Sequence, residues 1–219
     1  MTGWTVVVPV KRLADAKTRL DLAATDPARA DLALALALDT VHAALAAREV
    51  DLVVVVTGEP RVAEALGARP GVRLLADPGG GLNAALAAGV AAALTAARAD
   101  AAPGPIALLL GDLPALVGPD LDAALVLAAG HARAVVPDAD GTGTTLLTAL
   151  TGEMVPRFGP GSFAAHVAAG HTALPDVPPG LRRDVDTAAD LRAAARLGVG
   201  RATAALLRRE PVYCRLDRR

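Results

Sequence analysis

Three aspartates in this sequence stand where they could bind a metal ion. Asp112 follows the apolar run Ile106–Leu110, which predicts a buried strand. Because an unpaired buried carboxylate is costly, we expect a metal, a cation or a helix N-terminus beside it. Asp184 and Asp186 flank one valine just before a predicted helix, and residues i and i+2 of an extended segment point to the same side. Carboxylate oxygens suit Mg²⁺, so the three aspartates predict a magnesium site.

Each acidic segment also has a purely structural interpretation. Asp112 could cap a turn, and Asp184 or Asp186 could cap the helix that follows them. The three aspartates together indicate a metal site more specifically than either segment does alone.

The only two lysines of the chain, Lys11 and Lys17, lie just after the first predicted strand. The other twenty basic residues are arginines, and Arg12 and Arg19 stand beside these lysines. Cations at the carboxyl end of the first strand of an α/β protein are well placed to bind phosphates. A solvated charged loop is the alternative interpretation.

Three glycine-containing segments predict anion binding or a close approach of the backbone to a ligand. Gly79–Gly81 precedes Asn83, which could contact a ribose or a base, at the start of an alanine-rich helix. A second segment, GTGT, ends at Thr144 and leads into a strand. In the third, the only serine of the chain, Ser162, is predicted to cap a helix whose N-terminus could bind phosphate. A flexible loop, a tight turn and simple capping are the respective alternatives.

A nucleophilic serine mechanism would have to use Ser162 with His166, four residues later. This spacing along one helix is poor geometry for a catalytic triad. The sequence contains no P-loop, no nucleophile elbow and no spaced Cys/His cluster.

Apolar runs alternate with alanine-rich helical segments along the chain. The runs are continuous, as expected for strands covered on both faces; they are Thr5–Val10, Leu52–Thr57, Val72–Leu75, Ile106–Leu110, Ala134–Pro137 and Thr144–Leu150. The main predicted helices are Pro27–Arg48, Pro60–Leu66, Leu82–Arg98, Asp120–Ala129 and Thr187–Leu197. This order predicts an α/β protein, a three-layer α/β/α sandwich around a mainly parallel sheet. We expect one domain over residues 1–210 and a basic tail over residues 211–219.

The composition narrows the class of partner. The net charge of −1 argues against binding to nucleic acid or an anionic membrane, although local cations could hold a small anion. Cys214 is the only cysteine, which excludes an intrachain disulfide and suits a reducing compartment. Without a signal-peptide pattern or a long apolar stretch, the chain is expected to be a soluble cytoplasmic protein.

Six segments together resemble the guanylyltransferases of coenzyme F-420 biosynthesis, and they span about residues 5 to 198 of the 219. In order they are VPVKRLADAKTRL, DPGGGLNAAL, LLLGDLPAL, DGTGTTLL, RFGPGSFAAH and LRRDVDTAADL. The resemblance implies the nucleotide-diphosphosugar transferase fold, a Rossmann-like architecture with a mixed sheet. It also implies transfer of GMP from GTP to phosphoenolpyruvate in actinobacterial members, or to 2-phospho-L-lactate in archaeal members.

The resemblance further implies roles for individual residues. Asp112, Asp184 and Asp186 would hold two Mg²⁺ ions, and Thr144, Gly159 and Ser162 would bind the phosphorylated three-carbon acid. The implied nucleotide contacts are Lys11, Lys17, Arg19, Asn83 and Gly111; Lys17 and Arg19 would also join Asp112 in catalysis. This chain departs from the common nucleotidyltransferase loop, which is glycine-rich, because side-chain cations stand where backbone amides usually do.

The implied partners are GTP and the three-carbon acid, with handover of an unstable product to a downstream enzyme. A same-fold enzyme acting on a sugar phosphate or a molybdenum-cofactor precursor is one alternative, and a non-catalytic nucleotide-binding protein is another. The Ala/Arg-rich composition resembles actinobacterial proteins and favours phosphoenolpyruvate over 2-phospho-L-lactate as acceptor.

We expect Lys17→Ala to lose more activity than Lys11→Ala, because Lys17 is the predicted contact to the triphosphate. Pyrophosphate release with GTP, Mg²⁺ and acceptor measures the difference. Greater loss in Lys11→Ala would reverse the assignment.

Overall fold

A computed structural model of the chain describes residues 3–11, 26–96, 104–151 and 154–209. The predicted phosphate contacts Lys17 and Arg19 lie outside the described residues, as does the tail over residues 211–219. No helix in the described ranges combines the length and the apolar character needed to cross a bilayer.

Seven strands form one mixed sheet in the order β3-β2-β1-β4-β6-β5-β7. The strands are β1 (Trp4–Val10), β2 (Val50–Thr57), β3 (Val72–Ala76), β4 (Ile106–Leu109), β5 (Arg133–Pro137), β6 (Thr144–Ala149) and β7 (Thr172–Ala173). Only β6 runs against its neighbours: it pairs antiparallel with both β4 and β5, whereas the other strand pairs are parallel. The predicted mainly parallel sheet is therefore confirmed, and the beginning of β6 meets the carboxyl ends of its neighbours at one edge.

Eight helices accompany the sheet in the described part of the chain. They are α1 (Asp26–Ala46), α2 (Pro60–Leu66), α3 (Leu82–Ala96), α4 (Gly118–Ala128), α5 (Ser162–Ala168), α6 (Pro179–Arg182), α7 (Ala188–Leu197) and α8 (Arg201–Arg209). The five predicted long helices are present within one or two residues of their expected bounds. The short elements β7 and α6 were not predicted, and neither was α8.

Alternate residues of the central strands face two separate apolar cores, which makes the sandwich three-layered. Val6 and Val8 of β1 pack in the core that contains α1, α2 and α4, whereas Val7 packs against α3 on the other face. Both sets of side chains are fully buried. Burial on both faces explains why the strands are continuous apolar runs rather than alternating patterns.

Helix α8 is attached to α1 through a buried carboxylate. Asp39 of α1 accepts hydrogen bonds from the backbone N–H groups of Ala202 and Thr203, both at 2.8 Å. A helix leaves its first N–H groups without internal partners, and an acidic side chain there also complements the helix dipole. Asp39 therefore anchors α8, although Asp39 and Ala202 are more than 160 positions apart in the chain.

We expect Asp39→Ala to lower the free energy of unfolding by about 2 kcal/mol, because the N–H groups of Ala202 and Thr203 lose their acceptor. Chemical denaturation measures this change. Asp31→Ala on the same helix is the matched control: Asp31 forms an exposed ion pair with Arg61, and its loss should cost less than about 1 kcal/mol. Equal effects of the two substitutions would contradict the anchoring role.

Candidate active site

A cleft of about 670 Å³ opens at the edge where β1, β4 and β5 end and β6 begins. Its lining includes most of the predicted site residues that the structure describes: Lys11, Gly111, Asp112, Thr144, Gly159, Ser162, Asp184 and Asp186. Parallel topology accounts for this gathering, since loops distant in sequence leave the sheet at the same edge.

Asp112 is carried by a loop that leaves β4 beside the end of β1. At Gly111 an added Cβ atom would lie 2.7 Å from the carbonyl oxygen of Pro9, so any side chain there would collide with the backbone of β1. On the far side, the N–H of Leu113 donates to the Thr40 hydroxyl of α1 at 2.9 Å. The loop is held from both sides, which defines the direction in which Asp112 enters the cleft.

The segment Asp184–Asp186 is attached directly to the Asp112 loop. The N–H of Val185 donates to the carbonyl oxygen of Asp112 at 3.2 Å, and the Val185 side chain is fully buried among residues of α1 and α7. Both flanking aspartates line the cleft, as the alternation of an extended segment predicts.

Neither aspartate of this pair caps the following helix. Thr187 and Asp190 form a reciprocal capping box at the start of α7, as predicted from their spacing. The alternative structural interpretation of Asp184 and Asp186 is thereby removed.

The carboxylates of the cleft repel one another. Burial raises the pKa of Asp184 to about 7, and the negative charges of Asp112 and Asp186 contribute to that increase. Within the described ranges, no three acidic, histidine or cysteine side chains stand close enough to form a ready metal cage. The donor set nevertheless fits a hard divalent cation that keeps part of its water shell, because such an ion relieves the repulsion.

Asp138 and Asp140 also line the cleft and were missed by the sequence analysis. Asp138 accepts hydrogen bonds from the N–H groups of Thr142 and Gly143, at 2.9 and 2.7 Å, and so shapes the turn that leads into β6. The signal was present in the sequence, since Asp138 follows β5 directly, as Asp112 closely follows β4.

Another part of the cleft lining, which we call the hydroxyl wall, consists of Thr144 and Ser162 beside the buried imidazole of His166. The hydroxyls of Ser162 and Thr144 are 3.2 Å apart, and Thr144 Oγ1 lies 3.0 Å from Nδ1 of His166. All three residues are buried. The prediction that Ser162 caps its helix is wrong: Gly161, at φ 73°, occupies the cap position without a side-chain bond, and Ser162 is the first helical residue. Its hydroxyl is turned toward Thr144 instead.

Asn83 ties the loop before α5 to helix α3. Its side-chain nitrogen donates to the carbonyl oxygen of Phe158 at 3.0 Å, and its side-chain oxygen accepts from the Phe158 N–H at 2.8 Å. Since both ends of the amide are engaged, the structure gives Asn83 a supporting role beside the cleft. A direct contact of Asn83 with a nucleoside stays a prediction.

A second cavity of about 270 Å³ adjoins the cleft beside the triple glycine. Lys11 and Leu82 line both spaces. All three glycines of Gly79–Gly81 have φ between 79° and 89°, a region that favours glycine, so this turn depends on their lack of side chains. Asp77 accepts a hydrogen bond from the N–H of Gly79 at 2.9 Å, which closes the start of this turn.

Comparison with solved structures supports the class of protein that the sheet and cleft define. A nucleotide-diphospho-sugar transferase from Desulfovibrio desulfuricans G20 superposes with a TM-score of 0.67 at 19% identity, covering 99% of this chain and 95% of that one. Rv0371c from Mycobacterium tuberculosis H37Rv, solved in complex with manganese, has a TM-score of 0.54 at 23% identity, covering 89% and 98%. The protein therefore has the nucleotidyltransferase fold of this class.

Sequence comparison identifies the family. The family described as "Guanylyl transferase CofC like" matches residues 4–177. A phosphoenolpyruvate guanylyltransferase from Streptomyces coelicolor is 51% identical, over 94% of this chain and 96% of that protein. This chain belongs to the CofC-like guanylyl transferase family, as the six sequence segments predicted.

We expect Asp184→Asn to stabilise the metal-free protein at pH 7.5. The raised pKa of Asp184 means that the folded state holds its proton more tightly than the unfolded state does. The contribution of Asp184 to the free energy of unfolding is therefore most favourable near pH 4, and it is lost as the pH rises toward 7. Removing the charge should raise the free energy of unfolding by about 1–3 kcal/mol at pH 7.5 and change it little at pH 4.

Thermal denaturation after chelator treatment measures this effect. Mg²⁺ or Mn²⁺ should raise the Tm of the unmodified protein at pH 7.5, and Asp184→Asn should remove most of that increase. Asp176→Asn is the matched control, because Asp176 is exposed and lies outside the cleft. A destabilised Asp184→Asn variant at pH 7.5 would contradict the account of charge repulsion.

Proposed function

We propose that this protein transfers GMP from GTP to phosphoenolpyruvate, giving enolpyruvyl-diphospho-5′-guanosine and pyrophosphate, in coenzyme F-420 biosynthesis. The observation that carries the proposal is a single cleft lined by two chemically different sets of groups. These are the carboxylates of Asp112, Asp184 and Asp186 and the hydroxyls of Thr144 and Ser162. Family membership and the names of relatives about 50% identical support the same reaction.

In the proposed reaction, a phosphate oxygen of the acid attacks the α-phosphorus of GTP. A new P–O bond forms as the bond from the α-phosphorus to the oxygen bridging it to the β-phosphorus breaks, and pyrophosphate departs with that electron pair. A phosphate monoester is largely ionised near neutral pH, so the protein needs no strong general base. Its contribution is to position the reactants and to offset their negative charge.

We assign the acid to the hydroxyl wall and the nucleotide to the side near the triple glycine. Thr144 and Ser162 offer hydrogen-bond donors for an anionic group, and Gly159 lines the cleft beside them. Lys11 is exposed at the junction of the two cavities, where a cation could contact the phosphates of the nucleotide. Lys17, Arg19, Gly111 and Asn83 remain predicted nucleotide contacts.

Asp112, Asp184 and Asp186 would hold divalent metal, and we propose two Mg²⁺ ions at this site. When bound, such ions supply charge neutralisation for the phosphates. The chain's own part is to keep three carboxylates directed into one cleft. It does so through the close approach at Gly111 and the hydrogen bond between Val185 and Asp112. We further propose a cytoplasmic enzyme, consistent with its single cysteine, that passes an unstable product to a downstream enzyme.

The proposal is tested by pyrophosphate release in the presence of GTP and Mg²⁺. Phosphoenolpyruvate and 2-phospho-L-lactate compete as acceptors, and the mass of the product identifies which one carries GMP. We expect the phosphoenolpyruvate adduct, in line with the named relatives. A predominant phospholactate adduct would reassign the acceptor, and turnover with neither acid would overturn the proposal.

We expect Asp112→Asn to reduce the rate of pyrophosphate release at least 100-fold, because it removes a charge that would face the metal and the reacting phosphates. Asp176→Asn should leave the rate unchanged, and thermal denaturation checks that both variants are folded. Near-normal turnover in Asp112→Asn would contradict the metal assignment.

A further inference from the structure

A buried histidine supports the hydroxyl wall and is not used by the proposed reaction. His166 is fully buried, and both of its ring nitrogens are engaged: Nε2 lies 3.0 Å from the backbone nitrogen of Arg157, and Nδ1 lies 3.0 Å from Thr144 Oγ1. We infer that His166 is a positioning residue that makes the Thr144–Ser162 hydroxyl pair a hydrogen-bond donor toward the substrate anion. This inference rests on the proposed function, because it assumes that the acid binds at this wall.

The hydrogen bonds determine which ring nitrogen carries the proton. A backbone N–H can only donate, so the Arg157 N–H requires an unprotonated Nε2. A neutral imidazole with an unprotonated Nε2 carries its proton on Nδ1. Burial, with the charges of His171 and Arg157, lowers the pKa of His166 to about 4, which supports the neutral ring at physiological pH. Nδ1 therefore donates to the Thr144 hydroxyl oxygen.

Among His166, Thr144 and Ser162, one hydroxyl proton is not used by the hydrogen bonds between them. Nδ1–H donates to Thr144, and the contact between Thr144 and Ser162 uses one of the two hydroxyl protons. The remaining hydroxyl proton is available to an acceptor in the cleft, which both residues line. With the opposite tautomer, Nδ1 would accept the Thr144 proton and one donor to the substrate would be lost. The ring thus directs the pair toward an anionic oxygen.

The same orientation argues against a nucleophilic serine. A base must present a lone pair to the hydroxyl that it deprotonates, whereas the nitrogen of His166 nearest the hydroxyls is the protonated one. The wall is built to bind a phosphate or carboxylate group, and Ser162 is a ligand-binding residue rather than a nucleophile.

Two substitutions separate this role from simple support of the Arg157 loop. In His166→Asn, the short amide can place an N–H near the Nδ1 position and donate to Thr144, but it loses the acceptor for the Arg157 N–H. In His166→Gln, the longer amide can accept from the Arg157 N–H at the Nε2 position, but Thr144 loses its donor. The two variants therefore keep opposite halves of the network.

We expect His166→Gln to raise the KM for phosphoenolpyruvate roughly tenfold or more, as for the loss of a hydrogen bond to a charged group. His166→Asn should stay within about threefold of the unmodified enzyme, and the KM for GTP should be unchanged in both. The reverse order, with His166→Asn the more impaired, would show that His166 only supports the loop and would overturn the inference.

The unmodified protein provides a test that does not depend on these variants folding. Long-range ¹H–¹⁵N correlation spectra report the protonation of each histidine ring nitrogen, and the chain has only four histidines. We expect His166 as the neutral Nδ1–H tautomer at pH 7.5, with or without phosphoenolpyruvate. An Nε2–H tautomer or a doubly protonated ring would overturn the inference. If the Nδ1–H tautomer is found but neither acid is turned over, the proposed function has failed instead.

Discussion

The burial of a carboxylate beside other carboxylates is the constraint on which the arrangement of the cleft depends. Burial, and then the negative charges of Asp112 and Asp186, raise the pKa of Asp184 to about 7. The fold keeps these carboxylates together because a loop contact at Gly111 and a backbone hydrogen bond at Val185 leave them little freedom to separate. The metal that we propose for this site would relieve the repulsion when bound.

The rest of the architecture supports this arrangement from outside the cleft. Thr40 of α1 accepts a hydrogen bond from the loop that carries Asp112. The residue before it, Asp39, anchors α8. Val185 is buried in a small core with residues of α1 and α7, so the acidic segment is fastened by its apolar side chain. The helices that cover the sheet thus also determine the positions of the charged groups.

The groups of the hydroxyl wall differ from the carboxylates because they carry no charge. His166 is neutral at physiological pH, since its pKa is lowered to about 4, and Thr144 and Ser162 contribute hydroxyl groups. Such groups can donate hydrogen bonds to an anion in a buried setting, where hydrogen bonds are stronger than in water. Under the proposed function, the hydroxyl wall would bind the acid, and the carboxylates would hold the metal beside the nucleotide.

Local sequence determined the elements and most of the chemical groups. The continuous apolar runs identified six strands because burial on both faces leaves no polar alternation, and the Thr187–Asp190 spacing identified the start of α7. Asp112 and the Asp184–Asp186 pair were recognisable because carboxylates beside buried segments are costly. Only the tertiary structure decided which groups act together. Ser162 turns from its predicted cap to Thr144, Asn83 braces Phe158, and His166 is oriented by a backbone N–H nine residues away. These pairings join different elements and loops at separations of 9 to 75 residues, and the periodicity of each element does not encode them.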